Sequence, residues 1–288
     1  MSAWRKGVCN EDCGPPALSS MLSWPSRTVS SYCTDDCVDA LSVSGDLDAI
    51  NAFSTTSYYV SREGLLTECN PSYPACNWTS MGSVDVFNAA VQATTGARAQ
   101  PLVFSNSGDM TVAFRALVSR SGGVAEAAAF LADKAAAFNY TRVQLDLEPS
   151  CWAASPSDCG WPTSADADAY IALVNASADA LRKVGSGVGV CVGNWPQGQC
   201  SPANYTACEA AGDGYAEQCA TGQWDMGACN CCAYMRFYAL EQLCASRADL
   251  IVNMDTYQDA PFNVSVRCPP PHHARIPSHP SCEVEACT

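Results

Sequence analysis

The chain has 288 residues, with 15 Lys and Arg against 29 Asp and Glu and a formal net charge of −14. This charge argues against nucleic acid or an anionic membrane as a partner, and the chain has no uninterrupted apolar run of about eighteen residues that would predict a membrane span. The negative net charge suits a neutral ligand better. The length is close to the roughly 250 residues of one (β/α)₈ barrel, so we predict one main domain.

Short apolar segments alternate with helical patterns along most of the chain. Six strands are predicted, at 28–32, 56–60, 100–104, 143–147, 188–192 and 250–254. The clearest helices carry apolar residues at spacings of three and four, at 81–94, 124–138, 165–184 and 232–246. This strand and helix order is typical of parallel strands and predicts a (β/α)₈ TIM barrel. A doubly wound open sheet is the structural alternative, but no Gly-rich phosphate loop follows a predicted strand, as a nucleotide binder of that class needs.

We expect the barrel domain to cover residues 1–262, with a Cys-rich N-terminal segment, and to be followed by an irregular Pro-, His- and Cys-rich tail at 263–288. Only 31 residues follow Tyr257. Two more strand–helix units need about sixty residues, so the barrel is expected to be incomplete at its C-terminal end. The first residues run into Cys9 without the charged and apolar segments of a signal peptide, so we expect a fragment or an imperfect gene model.

The strand predicted at 143–147 carries polar residues at every second position. Gln144, Asp146 and Glu148 share one face, and the intervening Val and Leu residues share the other. Such alternation also occurs on a surface strand of an antiparallel sheet, but parallel strands are normally covered by helices. Because the carboxyl ends of barrel strands usually carry the active site, we predict that these carboxyl groups converge there.

The 19 Cys residues are far above ordinary usage and predict disulfides that close short local loops. The closest pairs are Cys9 with Cys13, Cys33 with Cys37, Cys69 with Cys76, Cys151 with Cys159, Cys191 with Cys200, and Cys208 with Cys219. We expect the bonds Cys151–Cys159 and Cys191–Cys200 first. Metal binding is the alternative, but the cluster at 229–232 lacks a second pair at zinc-finger spacing, so neither a metal nor a cofactor is predicted.

Five Asn-x-Ser/Thr sequons agree with passage through an oxidising secretory compartment: Asn77, Asn139, Asn175, Asn204 and Asn263. Together with the cysteines they predict a secreted or lumenal glycoprotein.

The segment Val143-Gln144-Leu145-Asp146-Leu147-Glu148 resembles the strand-four signature of family 18 glycoside hydrolases, the chitinase-like barrels, in which Asp-Gly-x-Asp-x-Asp-x-Glu ends at the acid. Residues 101–105 are similar to the third strand of that family, and residues 253–257 to its sixth strand with Met-x-Tyr-Asp. The resemblance covers the strand and helix order of about residues 28–262.

Three departures from the family pattern are visible. Thr141-Arg142 replaces Asp-Gly, Gln144 replaces the first Asp, and one extra residue separates Met254 from Tyr257. Gln144 cannot ionise, so it can hydrogen-bond Asp146 but cannot share a proton with it, as the family's first Asp does.

The resemblance implies a hydrolase that cleaves β-1,4-linked N-acetylglucosamine polymers or oligosaccharides with assistance from the substrate's own acetamido group. Glu148 would be the acid, Asp146 would orient the acetamido nitrogen, and Tyr257 would donate to its carbonyl oxygen. The candidate substrate-binding residues are Gln144, Trp195, Met254 and Asp255.

Two alternatives to a hydrolase stay open. The first is a catalytically silent chitinase-like lectin that keeps the carbohydrate-binding groove, and the second is a Cys-rich extracellular structural protein. Retention of Asp146 together with Glu148 favours the enzyme, because the lectins commonly lose the acid.

Overall fold

The computed structural model describes residues 30–32, 52–68, 83–105, 110–149, 151, 155–193, 200–254 and 284–287. The strands are β1 Ser30–Tyr32, β2 Ala52–Ser54, β3 Thr56–Val60, β4 Leu66–Glu68, β5 Arg98–Ala99, β6 Leu102–Ser105, β7 Arg142–Leu145, β8 Gly187–Gly193, β9 Leu250–Met254 and β10 Val284–Cys287. The α-helices are α1 Val84–Thr95, α2 Met110–Ser119, α3 Gly123–Phe138, α4 Ser164–Arg182, α5 Pro202–Ala211, α6 Tyr215–Ala220, α7 Met226–Tyr238 and α8 Leu240–Cys244.

The strands pair in chain order, which is the arrangement of a singly wound barrel. The larger sheet has the order β10-β9-β8-β7-β6-β3-β4, and all of its pairs are parallel except β3 with β4. Strands β1, β2 and β5 form a second parallel sheet. Since a doubly wound sheet reverses its strand order at a switch point, this order argues against the structural alternative.

The described residues do not form a closed barrel. Only Thr55 separates β2 from β3, and only Gln100 and Pro101 separate β5 from β6. The chain segments 52–60 and 98–105 therefore each contribute one strand to both sheets. No strand pair within the described ranges joins β1 to β10. The observed architecture is therefore an open, barrel-like α/β sheet, and the expectation of a (β/α)₈ barrel that is incomplete at its C-terminal end is met only in part, because no closed barrel is formed by the described residues.

Most predicted elements are present, with differences near the C-terminal end. The helix predicted at 232–246 is instead two helices, because α7 already begins at Met226 and the backbone turns at Ala239, where φ is 39°. Asp225 starts α7 by accepting a hydrogen bond from the amide of Ala228, at 2.8 Å. Strand β10 lies beside β9, so this part of the segment expected to be an irregular tail belongs to the sheet.

Two apolar clusters lie on opposite faces of the larger sheet. The cluster on the helical side contains Val143, Leu145, Leu147, Val188, Val190 and Ile251 with residues from the helices, including Leu131, Tyr170, Leu173 and Phe237. The second cluster contains Leu102, Cys191, Leu250 and Val252. Successive residues of β8 and β9 thus alternate between two buried environments, as expected for parallel strands that are covered on both faces. None of the helices in the described ranges is long and apolar enough to cross a membrane.

Disulfides join the helices that lie between β8 and β9 into one unit. The bonds Cys200–Cys231, Cys208–Cys232 and Cys219–Cys229 all attach to α7. These residues form a buried cluster together with Tyr215, Trp161 and the bonded pair Cys151–Cys159. The unit therefore has an apolar core of its own, crosslinked to α7 at Cys229, Cys231 and Cys232.

The predicted pair Cys151–Cys159 is confirmed, whereas the pairs Cys191–Cys200 and Cys208–Cys219 are wrong. Cys191 lies in β8 and its Sγ donates to Gln144 Oε1 at 3.2 Å. Its side chain therefore belongs to the second cluster, with Leu102, Leu250 and Val252. Closeness in sequence failed as a guide because α7 brings its three cysteines back against the preceding helices. The pairs at Cys9, Cys33 and Cys69 lie outside the described residues.

We expect non-reducing peptide mapping to recover Cys200 bonded to α7. Cleavage after Trp195, after Tyr205 and before Asp225 places Cys191, Cys200, the pair Cys208 and Cys219, and the cysteines of α7 in four different peptides. The peptide with Cys200 should then be linked to the peptide that contains Cys231. Recovery of Cys200 linked to the Cys191 peptide would contradict the observed connectivity.

Candidate active site

The candidate site begins at the carboxyl end of β7. This strand is parallel to both of its neighbours, with Gln144 opposite Leu102 of β6 and Gly189 of β8. The amide of Asp146 donates to the carbonyl oxygen of Val103 at 2.7 Å, so the pairing with β6 continues past the last strand residue. The prediction of a parallel strand at this position is confirmed, but β7 ends at Leu145, so Gln144 lies on the strand and Asp146 and Glu148 lie just beyond it.

Gln144 is held in a buried network of neutral groups. Its Nε2 donates to Ser54 Oγ at 2.9 Å and to Gln100 Oε1 at 2.8 Å, while its Oε1 accepts from Cys191 Sγ. Gly189 leaves room for this side chain, because a Cβ there would lie 3.3 Å from Gln144 Cγ. The amide therefore has partners for both its nitrogen and its oxygen, and the buried side chain of Arg142 lies next to it against Gly189.

Asp146 lies in an environment that opposes ionisation. Its Oδ1 is shielded from solvent and has no hydrogen-bond partner in the described part of the chain. Burial raises the pKa of this carboxyl well above its ordinary value, and the nearby charge of Glu148 raises it further. An unpartnered buried oxygen is costly for stability, which is typical of a group kept for a function.

Glu148 is partly buried and has one defined partner. Tyr234 of α7 donates its hydroxyl proton to Glu148 Oε2 at 2.9 Å. Burial raises the pKa of Glu148, and this hydrogen bond opposes the rise because it stabilises the ionised form. A carboxyl group whose pKa is raised by burial can hold a proton closer to neutral pH, as a general acid must.

The other predicted site residues are only partly placed. Met254 ends β9, where its backbone lies opposite Gly193 of β8. Trp195, Asp255 and Tyr257 lie outside the described residues. The described ranges contain no group of three or more His, Cys, Asp or Glu residues that could hold a metal ion.

Sequence reasoning missed the partners of the carboxyl pair and of Gln144. Tyr234, Ser54 and Cys191 come from three different elements and Gln100 lies between β5 and β6; they are 86, 90, 47 and 44 residues away from the side chains they contact. No local spacing in the sequence could have connected them. Tyr234 is one of several polar residues in the Cys-rich pattern of α7, so the sequence did not single it out.

Comparison with known proteins places the fold among chitinases. No family model and no curated protein matches the sequence. Among solved structures, the chain is similar to a class V chitininase from Pseudomonas fluorescens Pf-5, with a TM-score of 0.50 and 13% identity over 79% of this chain and 54% of that one. It also matches a chitinase from Chromobacterium violaceum ATCC 12472, with a TM-score of 0.49 and 15% identity over 81% and 56% of the two chains.

The chain thus spans about half the length of these two solved chains. At 13% identity the likeness to the Pseudomonas protein shows the fold alone. The described residues have a chitinase-like α/β fold, as the resemblance of the β7 segment to family 18 glycoside hydrolases predicts.

We expect Asp146→Asn to stabilise the protein at pH 7 by roughly 1 kcal/mol. Because its pKa is raised in the folded state, this carboxyl favours folding while protonated, and the folded state loses stability as pH rises from the unfolded pKa through the folded one. The gain should therefore shrink towards pH 4, near the ordinary Asp pKa of about 3.9.

Denaturant unfolding at both pH values measures this difference. The exposed Asp168→Asn provides the matched control, with the same change of net charge on the surface of α4. Equal effects of the two variants at pH 7 would contradict the assigned burial cost of Asp146.

Proposed function

We propose that this chain is a chitinase-like glycoside hydrolase that cleaves β-1,4-linked N-acetylglucosamine polymers or oligosaccharides by substrate-assisted, retaining catalysis. The observation that carries this proposal is the pair of carboxyl groups, Asp146 and Glu148, both with raised pKa, just past the carboxyl end of a parallel strand. The chitinase-like fold supports the same assignment.

In this mechanism Glu148 is the general acid. It donates its proton to the glycosidic oxygen while the bond from that oxygen to the anomeric carbon breaks. The acetamido oxygen of the substrate attacks the anomeric carbon and forms an oxazolinium ion, so no enzyme carboxylate becomes covalently attached. Water then opens this ion and returns a proton to Glu148, which regenerates the acid with retained configuration.

Asp146 supplies the opposite charge in the same mechanism. Its carboxylate orients the acetamido nitrogen and balances the positive charge of the oxazolinium ion, and that interaction is strong where water is excluded. The unpartnered Oδ1 supports this role, because the substrate amide is a donor that would satisfy it. Tyr257 is the proposed donor to the acetamido carbonyl oxygen, and Trp195, Met254 and Asp255 are proposed to contact the sugar.

The neutral network around Gln144 is the observation that favours the alternative function, a carbohydrate-binding lectin. With its amide bonded to Ser54 and Gln100, Gln144 offers Asp146 no ionisable partner for proton sharing. The partly buried Glu148 weighs more strongly for the enzyme, because a protein that only binds sugar has no use for an acid with a raised pKa.

We further propose that the protein works in a secretory or extracellular compartment. The four disulfides among the described residues support this assignment, because such bonds persist in oxidising surroundings. The negative net charge suits a neutral polysaccharide better than a polyanion.

We expect Glu148→Gln to lower turnover of a chitin oligosaccharide by about a hundredfold or more, while the affinity for the oligosaccharide stays nearly unchanged. Gln keeps the size and the hydrogen-bonding capacity of the side chain but has no transferable proton. Product chromatography measures turnover, and calorimetry of the same oligosaccharide measures binding.

Glu209→Gln on α5 is the matched control. Glu209 is exposed, and its substitution removes the same charge from the surface of a different element. It should keep wild-type turnover. If the folded wild-type protein binds the oligosaccharide without cleaving it, the lectin replaces the hydrolase. If it neither binds nor cleaves, both carbohydrate functions are wrong.

A further inference from the structure

One face of α7 contacts three residues that follow β7, namely Leu147, Glu148 and Cys151. Asn230, Tyr234 and Tyr238 are four residues apart, so they lie in one row along the helix. Tyr234 donates to Glu148 Oε2 at 2.9 Å, and Tyr238 donates a longer bond of 3.4 Å to the carbonyl oxygen of Leu147. The third residue, Asn230, accepts through its Oδ1 from the backbone amide of Cys151 at 3.1 Å.

The same helix is fixed from its other sides. Cys229 bonds it to α6, Cys232 bonds it to α5, and Cys231 bonds it to Cys200, two residues before α5. Near its end, the Phe237 ring stacks on Tyr170 of α4 with a centroid distance of 4.6 Å. Since α7 is held by covalent bonds and by ring packing, its polar row forms a rigid support for the segment that follows β7.

We propose that Tyr234 is a positioning residue for the acid. The rigid helix α7 holds the Glu148 carboxyl group in place through the hydroxyl of Tyr234. This inference rests on the proposed role of Glu148 and extends it to a helix that contributes no residue to the family signature. Tyr234 is 3% exposed, so its hydroxyl acts through Glu148 from inside the protein.

The hydroxyl of Tyr234 has two effects on Glu148. It restricts the carboxyl group to one orientation, which a proton donor needs towards the glycosidic oxygen. It also stabilises the ionised form and so opposes the rise in the pKa of Glu148 that burial causes. Removing the hydroxyl should therefore loosen the acid and raise its pKa at the same time.

The test compares Tyr234→Phe with Tyr238→Phe. Both variants remove one buried phenol hydroxyl from the same face of α7, but the hydroxyl of Tyr238 contacts a backbone carbonyl rather than the carboxyl group. Infrared titration of the protonated carboxyl stretch, assigned to Glu148 by its loss in Glu148→Gln, measures ionisation without any need for activity. The pH profile of kcat/KM on a chitin oligosaccharide gives the second readout.

In Tyr234→Phe we expect Glu148 to titrate about one pH unit higher, and the alkaline limb of the profile to move in the same direction. We also expect kcat to fall several-fold with KM changed less than about twofold, because orientation is lost rather than binding. Tyr238→Phe should leave the titration of Glu148 unchanged. An unchanged titration in Tyr234→Phe, or an equal shift in both variants, would overturn the proposal.

A second substitution keeps the test decisive if Tyr234→Phe does not fold. 3-Fluorotyrosine at position 234 keeps the ring and the hydroxyl but has a more acidic phenol, so it is a stronger donor and should move the titration of Glu148 to lower pH. If the wild-type protein cleaves no chitin oligosaccharide, the proposed function fails. The infrared titration then still decides whether Tyr234 controls Glu148.

Discussion

Strand β7 is hydrogen-bonded on both edges and buried on both faces, so every polar side chain on it has to find a partner inside the protein. Its Val and Leu residues pack against the helical layer. By alternation, the intervening side chains meet the other interior face, where solvent is scarce. Gln144 satisfies this requirement through Ser54, Gln100 and Cys191. Asp146, just beyond the strand, has one carboxyl oxygen, Oδ1, without a hydrogen-bond partner among the described residues. A polar residue with a purely structural role would have that oxygen paired.

The contrast with Asp85 makes this difference clear. Asp85 is also buried, but its Oδ1 accepts from the hydroxyls of Tyr58 and Tyr140, each at 2.6 Å, and its Oδ2 lies 2.9 Å from Lys134 Nζ. This carboxylate uses both of its oxygens to tie α1, β3 and α3 together, which leaves it little capacity for a ligand. The orphaned oxygen of Asp146 retains that capacity, which is why the carboxyl pair and not the larger polar cluster is the candidate site.

The disulfide-bonded helices between β8 and β9 give the site a second support besides the sheet. Sheet pairing places the backbone of Asp146, whereas the side chain of Glu148 depends on a hydroxyl from α7. An outer helix can control a buried acid only if it is itself immobile. The crosslinks to α5 and α6 provide that immobility through covalent bonds, and the ring of Phe237 packed on Tyr170 adds to it.

The sequence by itself determined the strand positions, the alternation along 143–147 and the carboxyl pair, because side-chain periodicity is a local property of the backbone. It also indicated the closure of one short loop, Cys151–Cys159. Only the tertiary structure decided how the remaining described disulfides connect, which groups surround Gln144, and that Tyr234 contacts Glu148 across 86 residues of chain. These outcomes depend on how separate helices and strands pack together, and contacts between distant segments leave no periodic signal in the sequence.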